Sequence, residues 1–526
     1  METRTTPGAA ADAAAPERNP RRWWILLALC LATLILVIDN MALSVAVPAL
    51  ASDLNASAQD IQWILDSYML VFAGLLLTTG SLADRFGRKR IMTIGLALFG
   101  AASVVATVAA NPLELVAARI VMGIGGALIM PAGLSILLNL FDDEERHQAM
   151  SAAGGVSMLG LIGSPVLGGV LIDQFWWGAV FLINIPIVVI ALIATVVLVP
   201  ESRGPWQRPD PLGAVLSAVG MAALVWTIIE LPDGGLGRAS TVAALIVAIV
   251  SLVAFLVWES RIEHPMVPLK LFRDRDFAGG SVSLTLVQIG NGGLLLVLTQ
   301  YLQFGLGYSP LKAGIAFLPM AVAALVASGA GAGLGPKLGN RALAVIGLLI
   351  MAAGALVLTS LTADSGFGMV AVALVVFGLG GGLAMPAAIS AILGSVPPEQ
   401  AGVGSALNDT IQQAGAALGV AVLGSILATA YSHKMPDSAS ATARNSIGDA
   451  LAEAARTGDT GLVHAARTAF AGAMSVTFGV SALGVLAAAI LTLVALRGRP
   501  AEPVSAACQA DISAAEDSHP QSVVEV

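Results

Sequence analysis

Charge is scarce in this chain. Asp, Glu, Lys and Arg make up 11% of its 526 residues against 57% hydrophobic residues, and the mean hydropathy is +0.85. Soluble domains carry roughly 25% charged residues, so the chain belongs in a lipid bilayer. Cysteine is nearly absent: Cys30 lies in the first apolar run and Cys508 near the end, which leaves no basis for a disulfide framework or a thiolate metal site. None of the five histidines, His147, His264, His433, His464 and His519, falls well inside an apolar segment, which argues against a histidine proton relay. No phosphate-cradling Gly-rich loop ending in Lys-Ser/Thr occurs, so ATP is not the expected energy source. With no nucleophile–base or metal-ligand constellation and no basic stripe, the sequence predicts neither an enzyme, a cofactor, a bound metal nor a nucleic-acid partner.

What is present is apolar and periodic. Fourteen segments are long enough to cross a bilayer, near 23–50, 61–83, 90–110, 113–138, 149–173, 178–200, 212–232, 239–259, 277–300, 311–335, 342–362, 367–393, 403–430 and 469–496. Arg21 and Arg22 before the first resemble a signal peptide's start, but the run is too long for one and reads as a retained span. Arg and Lys gather in the loops after even-numbered segments (Arg85, Arg88, Lys89, Arg90, Arg146, Arg273, Arg275, Lys337, Arg341). The short opposite loops hold only Arg238 and Lys312. The positive-inside rule then places both termini in the cytoplasm. Within the long loop 431–468, Ile447 to Arg456 and Leu462 to Arg467 read as two short amphipathic helices with Ser446 and Thr460 as N-caps.

The chain repeats internally. Gly123, Gly125, Gly126, Met130, Pro131, Ala132 and Ser135 of the fourth segment recur as Gly378, Gly380, Gly381, Met385, Pro386, Ala387 and Ser390 of the twelfth, each displaced by 255 positions. The stretch GSLADRFGRKR (Gly80 to Arg90) has a degraded echo in GPKLGNR (Gly335 to Arg341). Duplicated halves with Gly- and Pro-broken spans point to a secondary transporter. The expected fold is an all-α membrane protein of fourteen transmembrane helices, two pseudo-symmetric six-helix bundles with two helices inserted between them. The expected divisions are a disordered N-terminus 1–22, a bundle 23–200, a linker pair 201–276, a bundle 277–496 carrying the extracellular loop 431–468, and a disordered tail 497–526.

Asp39 lies about two thirds of the way across the first segment. A carboxylate at that depth costs several kcal/mol unless paired, hydrated or protonated, so it is a candidate proton or cation site; the competing reading is a helix-end acid at the headgroups. Arg119 enters from the other side, about six residues into its segment and hence on the order of 9 Å deep, and Asp39 is its leading acceptor. Burial favours a neutral carboxyl and a nearby cation favours the charged one, so the pair Asp39 and Arg119 is the expected proton-coupling element. In the second segment Trp63, Asp66 and Tyr68 suggest an aromatic, acidic vestibule for an organic cation; Trp63 fits an interfacial aromatic belt equally well. In the thirteenth, Asn408, Asp409, Gln412 and Gln413 should face the interior as further substrate contacts, unless Asp409 sits close enough to the helix start to be hydrated.

These residues carry a family resemblance. The loop residues Gly80, Asp84, Arg85, Gly87, Arg88 and Arg90, the ARIVMGIGGALIMP stretch around Arg119, and Gly160, Ser164, Pro165, Gly168 and Gly169 of the fifth segment resemble the signature motifs of the major facilitator superfamily. Within it, the chain is similar to the fourteen-span drug:proton antiporters of the QacA and SmvA type over nearly its whole length. The resemblance implies that the Gly80–Arg90 loop latches the two halves in one state of the cycle and that the fifth-segment motif marks antiport. Two departures are visible: Ser164 stands where glycine usually precedes the proline, and the thirteenth segment holds fewer acids than those exporters carry. The function implied is a proton-coupled multidrug efflux antiporter in the cell membrane, a monomer whose partners are a small-molecule drug or metabolite, protons and lipid. An exporter of a neutral or anionic antibiotic or secondary metabolite is the alternative, and a non-transporting receptor or sensor a remote one.

Overall fold

The computed structural model describes residues 20–141, 143–204, 210–233, 235–262, 265, 267–362, 365–396 and 401–496. The segments 1–19 and 497–526, expected to be disordered, lie outside the described residues, as do Asp142, Arg208 and His264. The first group of helices is α1 (Arg22–Asp53), α2 (Ala58–Phe86), α3 (Arg88–Thr107), α4 (Pro112–Leu140), α5 (Asp143–Gln174), and α6 (Ala179–Leu182) continued by α7 (Asn184–Leu198). Then come α8 (Pro211–Glu230) and α9 (Ala239–Arg261). The second group is α10 (Arg275–Gln300), α11 (Pro310–Ala316), α12 (Leu318–Thr359), α13 (Phe367–Gly394), α14 (Ala401–Lys434), α15 (Ala441–Asn445), α16 (Ile447–Thr457) and α17 (Thr460–Ala495). Among the described residues thirteen helices are long and apolar enough to span a membrane. The pair Ala58–Leu76 and Thr78–Phe86, bent by 56°, makes a fourteenth. An even number of crossings leaves residues 20 and 496 at one end, called here the terminal end; the loop 431–468 lies at the far end.

Burial gathers into two principal cores, one centred on α1 to α7 and one on α10 to α17. The sequence repeat is a packing repeat. A Cβ on Gly125 would come within 2.9 Å of the Gly95 carbonyl on α3, and one on Gly380 within 2.6 Å of the Gly347 carbonyl on α12. Gly123 presses on the Tyr68 carbonyl of α2, and Gly378 on the Met320 carbonyl at the start of α12. Only glycine lets these backbones approach so closely. The loop echo is matched as well: Gly87, at φ +109°, turns α2 into α3, and Gly339, at φ +76°, breaks α12 at the corresponding place.

The inserted pair is asymmetric. Helix α8 lies against both α2 and α14: Gly74 abuts Ala218, the Trp63 and Trp226 rings meet edge to face at 5.4 Å, and Ser425 donates to the Ile228 carbonyl at 2.8 Å. Helix α9 leaves Ile246, Ile249, Val250 and Val253 exposed, as expected of a helix that faces lipid.

In the long loop, α16 begins at Ser446, whose hydroxyl accepts from the Asp449 amide at 3.1 Å, as its sequence predicts. Two expectations there are corrected. Residues Leu462 to Arg467 are not a separate helix but the first turns of α17, capped by Asp459 and not by Thr460. No Gly or Pro interrupts 462–470, so nothing stops the helix. The short helix α15, capped by Ser440, was not anticipated.

Candidate functional site

Asp39 and Arg119 meet at the centre of the first helix group. They are 0% and 1% exposed, and an Arg119 guanidinium nitrogen donates to an Asp39 carboxylate oxygen. Arg119 also donates through Nε to the Ile64 carbonyl on α2 at 3.1 Å, and its guanidinium lies 4.3 Å from the centre of the Tyr68 ring. The other Asp39 oxygen accepts from Asn184 Nδ2 on α7 at 3.1 Å. Four helices therefore converge on one ion pair. Two charges in so dry a place cost several kcal/mol each in lost hydration, and only such dense pairing offsets it. Chemically, a proton placed on Asp39 cancels the charge that holds Arg119, so the cluster can exchange a proton for an ion pair. Sequence reasoning brought Asp39 and Arg119 together from their depths. It gave no role to Asn184 or to the Ile64 carbonyl.

The aromatic vestibule expected on α2 is not formed. Tyr68 is buried and stacks on Arg119, whereas Trp63 turns away to Trp226 on α8. Five residues on a helix place two side chains about 140° apart, so the two rings serve different neighbours. Asp66, between them, is 0% exposed, and neither of its oxygens meets a hydrogen-bond partner among the described residues.

On α14, Asn408 is buried and donates to Asp409 at 3.0 Å, while Asp409, Gln412 and Gln413 are half-buried. The facing helix α10 contributes Gln288, which packs against Gly415 and accepts from Asn291 at 3.2 Å. These two amides extend the polar face of α14 onto a second helix. Their single positions in a Gly-rich apolar run gave no periodic signal.

The loop between α2 and α3 is held within its own half. Asp84 pairs with Arg88 at 2.7 Å, Arg88 donates to the Ser135 carbonyl of α4 at 3.3 Å, and the Gly204 amide donates to the Asp84 carbonyl at 3.3 Å. Glu201 accepts from the Lys89 amide at 3.1 Å, so this acid, rather than Asp84, occupies the positive N-terminus of α3. Gly80 touches Pro131, and Arg85 and Arg90 are exposed.

The α5 motif faces two ways. Gly160 abuts Leu34 and Val37 and Gly168 abuts Ala42, all on α1. Gly169 abuts Pro310 and Leu311, and Gly314 abuts the Pro165 carbonyl, on α11 of the second group. Ser164 bonds back to the Gly160 carbonyl, which satisfies its hydroxyl at the departure from the family pattern. Further contacts between the groups, Gly424 on Gln62 and Gln303 Nε2 to the Val45 carbonyl at 2.8 Å, also lie toward the far end.

Residues 29–420 match the family model described as Major Facilitator Superfamily. The chain belongs to the Major Facilitator Superfamily. Within this superfamily it is 37% identical to the multidrug efflux pump LfrA of Mycolicibacterium smegmatis, over 91% of this chain and 97% of that one. It is 32% identical to the methyl viologen resistance protein SmvA of Salmonella typhimurium (78% and 84%) and 36% identical to a probable actinorhodin transporter of Streptomyces coelicolor (80% and 75%). A solved bacterial homologue of the human lysosomal transporter Spinster, in an inward-facing and occupied conformation, shares the fold with a TM-score of 0.64 at 20% identity, covering 91% of this chain and 98% of its own.

Proposed function

We propose that the protein is a proton-coupled antiporter that exports amphipathic, cationic compounds by alternating access, rather than an enzyme. Residues 23–200 and 277–496 act as the two rocking bundles and 201–276 join them. The carrying observation is the buried Asp39–Arg119 pair with Asn184 on the second oxygen, set in a chain related to LfrA and SmvA. In this reading the terminal end is cytoplasmic and the far end extracellular, in the cell membrane, and the protein works as a monomer. The packing of Gly169, Gly314 and Gly424 between the groups closes the far end in this state. A proton arriving at Asp39 releases Arg119 and changes how α1, α2, α4 and α7 pack. Coupling follows if drug and proton favour different states, because a ligand with equal affinity for both shifts nothing.

A second reading, export of an uncharged metabolite, is favoured by one observation: Asp409 is the only acid in residues 401–434, and its near neighbours Asn408, Gln412 and Gln413 are neutral. Proteoliposomes with an imposed proton gradient, offered cationic dyes, quaternary ammonium compounds and uncharged antibiotics, separate the two. Gradient-driven uptake of the cations, lost in Asp39→Asn, is the expected result. Uptake unchanged in that variant rejects the coupling role.

A further inference from the structure

A cavity of about 50 Å³ lies at the far end, where both helix groups meet beneath the start of α16. Val47 and Ala51 of α1, Ile61 and Gln62 of α2, Gln300 of α10 and Gly424 of α14 are among its walls, and no residue lining it is charged. Its volume admits about three waters at roughly 15 Å³ each. Gln62 is 4% exposed and lies flat on α14, where a Cβ at Gly424 would come within 2.2 Å of its Nε2. Among the described residues its Oε1 has no partner, and neither has Nε2 of Gln59 one turn nearer the end. One turn deeper stands Asp66, with two unpartnered oxygens, and Ser67 beside it with an unpartnered hydroxyl. Gln59, Gln62 and Asp66 follow spacings of three and four and so share one helix face, spanning about 10 Å of its axis.

Buried polar atoms in native proteins are satisfied by protein or by ordered water, and here four side chains within nine residues of α2 share the deficit, one of them, Gln62, in the wall of a cavity large enough for water. The charged groups on the helices around Asp66 are committed or distant. Arg119 of α4 is bound to Asp39 and the Ile64 carbonyl, and Glu230 stands at the end of α8. Asp409 of α14 lies about 22 Å of helical rise from Gly424, the residue against which Gln62 packs. An ionised carboxylate without partner in such a place costs many kcal/mol, and the neutral acid far less.

We propose that Asp66 is a proton-binding site of its own, distinct from the Asp39–Arg119 pair, and that the far-end cavity supplies it with water through Gln62. A hydronium in the cavity gives its proton to one Asp66 carboxylate oxygen and is left as water; no other bond changes. Gly424 is the residue that lets the Gln62 amide lie along this route. The proposal deepens the proton-coupled reading by adding a second site and a side of entry.

The test is infrared spectroscopy of the full-length protein in liposomes, following the carbonyl stretch of protonated carboxyl groups as the bath is switched from H₂O to D₂O. The expected result is a signal lost in Asp66→Asn and retained in Asp39→Asn. Its isotope exchange should slow about tenfold in Gln62→Met, which corresponds to about 1.4 kcal/mol in the barrier. Gly424→Ala, which displaces the same amide, should slow it as well and serves if the Gln62 variant does not assemble. A carboxyl signal unchanged in Asp66→Asn, or exchange at the wild-type rate in the assembled variants, overturns the proposal. Absence of gradient-driven drug flux in the wild type would overturn antiport while leaving this result standing, so the two failures are told apart.

Discussion

Asn184 holds the Asp39 oxygen that Arg119 leaves free. The amide donates from α7 at 3.1 Å while the guanidinium donates from α4 to the other oxygen, so the carboxylate is gripped from two sides by groups of different charge. An amide can bond to a neutral carboxyl as well as to a charged one, so we expect Asn184 to position Asp39 in both charge states.

Replacing it with alanine should therefore weaken transport without changing the substrates carried. A buried hydrogen bond to a charged group is worth about 1.5–3 kcal/mol, and Asn184→Ala should shift the pH dependence of gradient-driven uptake in proteoliposomes. A pH profile identical to wild type would show that Asn184 only fills space.

Arg119→Lys should fail despite keeping the charge. Lysine cannot hold the Asp39 carboxylate, the Ile64 carbonyl and the Tyr68 face at once, because it lacks the planar fork of arginine. We expect uptake to fall at least about tenfold with a lowered Tm, and Arg119→Leu to cost about 3–5 kcal/mol by stranding Asp39. Thermal unfolding in detergent and uptake assays check both.

Gly314→Val should hold the far end ajar. A Cβ at Gly314 would sit 2.2 Å from the Pro165 carbonyl, a backbone atom that cannot move without carrying α5 with it. A cysteine placed at Ala51 in the far-end cavity should react faster with a membrane-impermeant maleimide in this variant, while transport falls. Equal labelling would mean that the seam tolerates the added methyl groups.

Gly87→Ala should destabilise the loop between α2 and α3. At φ +109° a side chain is strained, and its Cβ would meet the Glu201 carboxyl at 2.6 Å. The backbone strain alone is of order 1–3 kcal/mol, read as a lower Tm. Gly339→Ala, at φ +76° in the second half, should lower it as well.

The sequence carried the fold through patterns that repeat. Pro131 and Pro386 in equal contexts announced two halves, and apolar length announced the spans. The Asp39–Arg119 contact was legible because two costly charges at matching depth in oil have few other ways to be satisfied. Asn184 was not, because a single amide at a helix start carries no periodicity. The opposite headings of Trp63 and Tyr68 followed from helical geometry, but their neighbours, Trp226 and Arg119, are set by which helices α2 meets. The continuation of α17 back to Thr460 was obscured because the charged Arg467 looked like an ending, although a helix ends only where something breaks it.

Ala42 stands one turn along α1 from Asp39, and against it lies Gly168, whose next residue, Gly169, bears on Pro310 and Leu311 of α11. The acid and the seam are thus separated by a few van der Waals contacts with no slack between them, and close-packed matter of this kind passes on displacement instead of absorbing it. If the proposed proton binding at Asp39 shifts α1 by even a fraction of an ångström, these contacts are the ones through which the shift would reach the joint between the two halves.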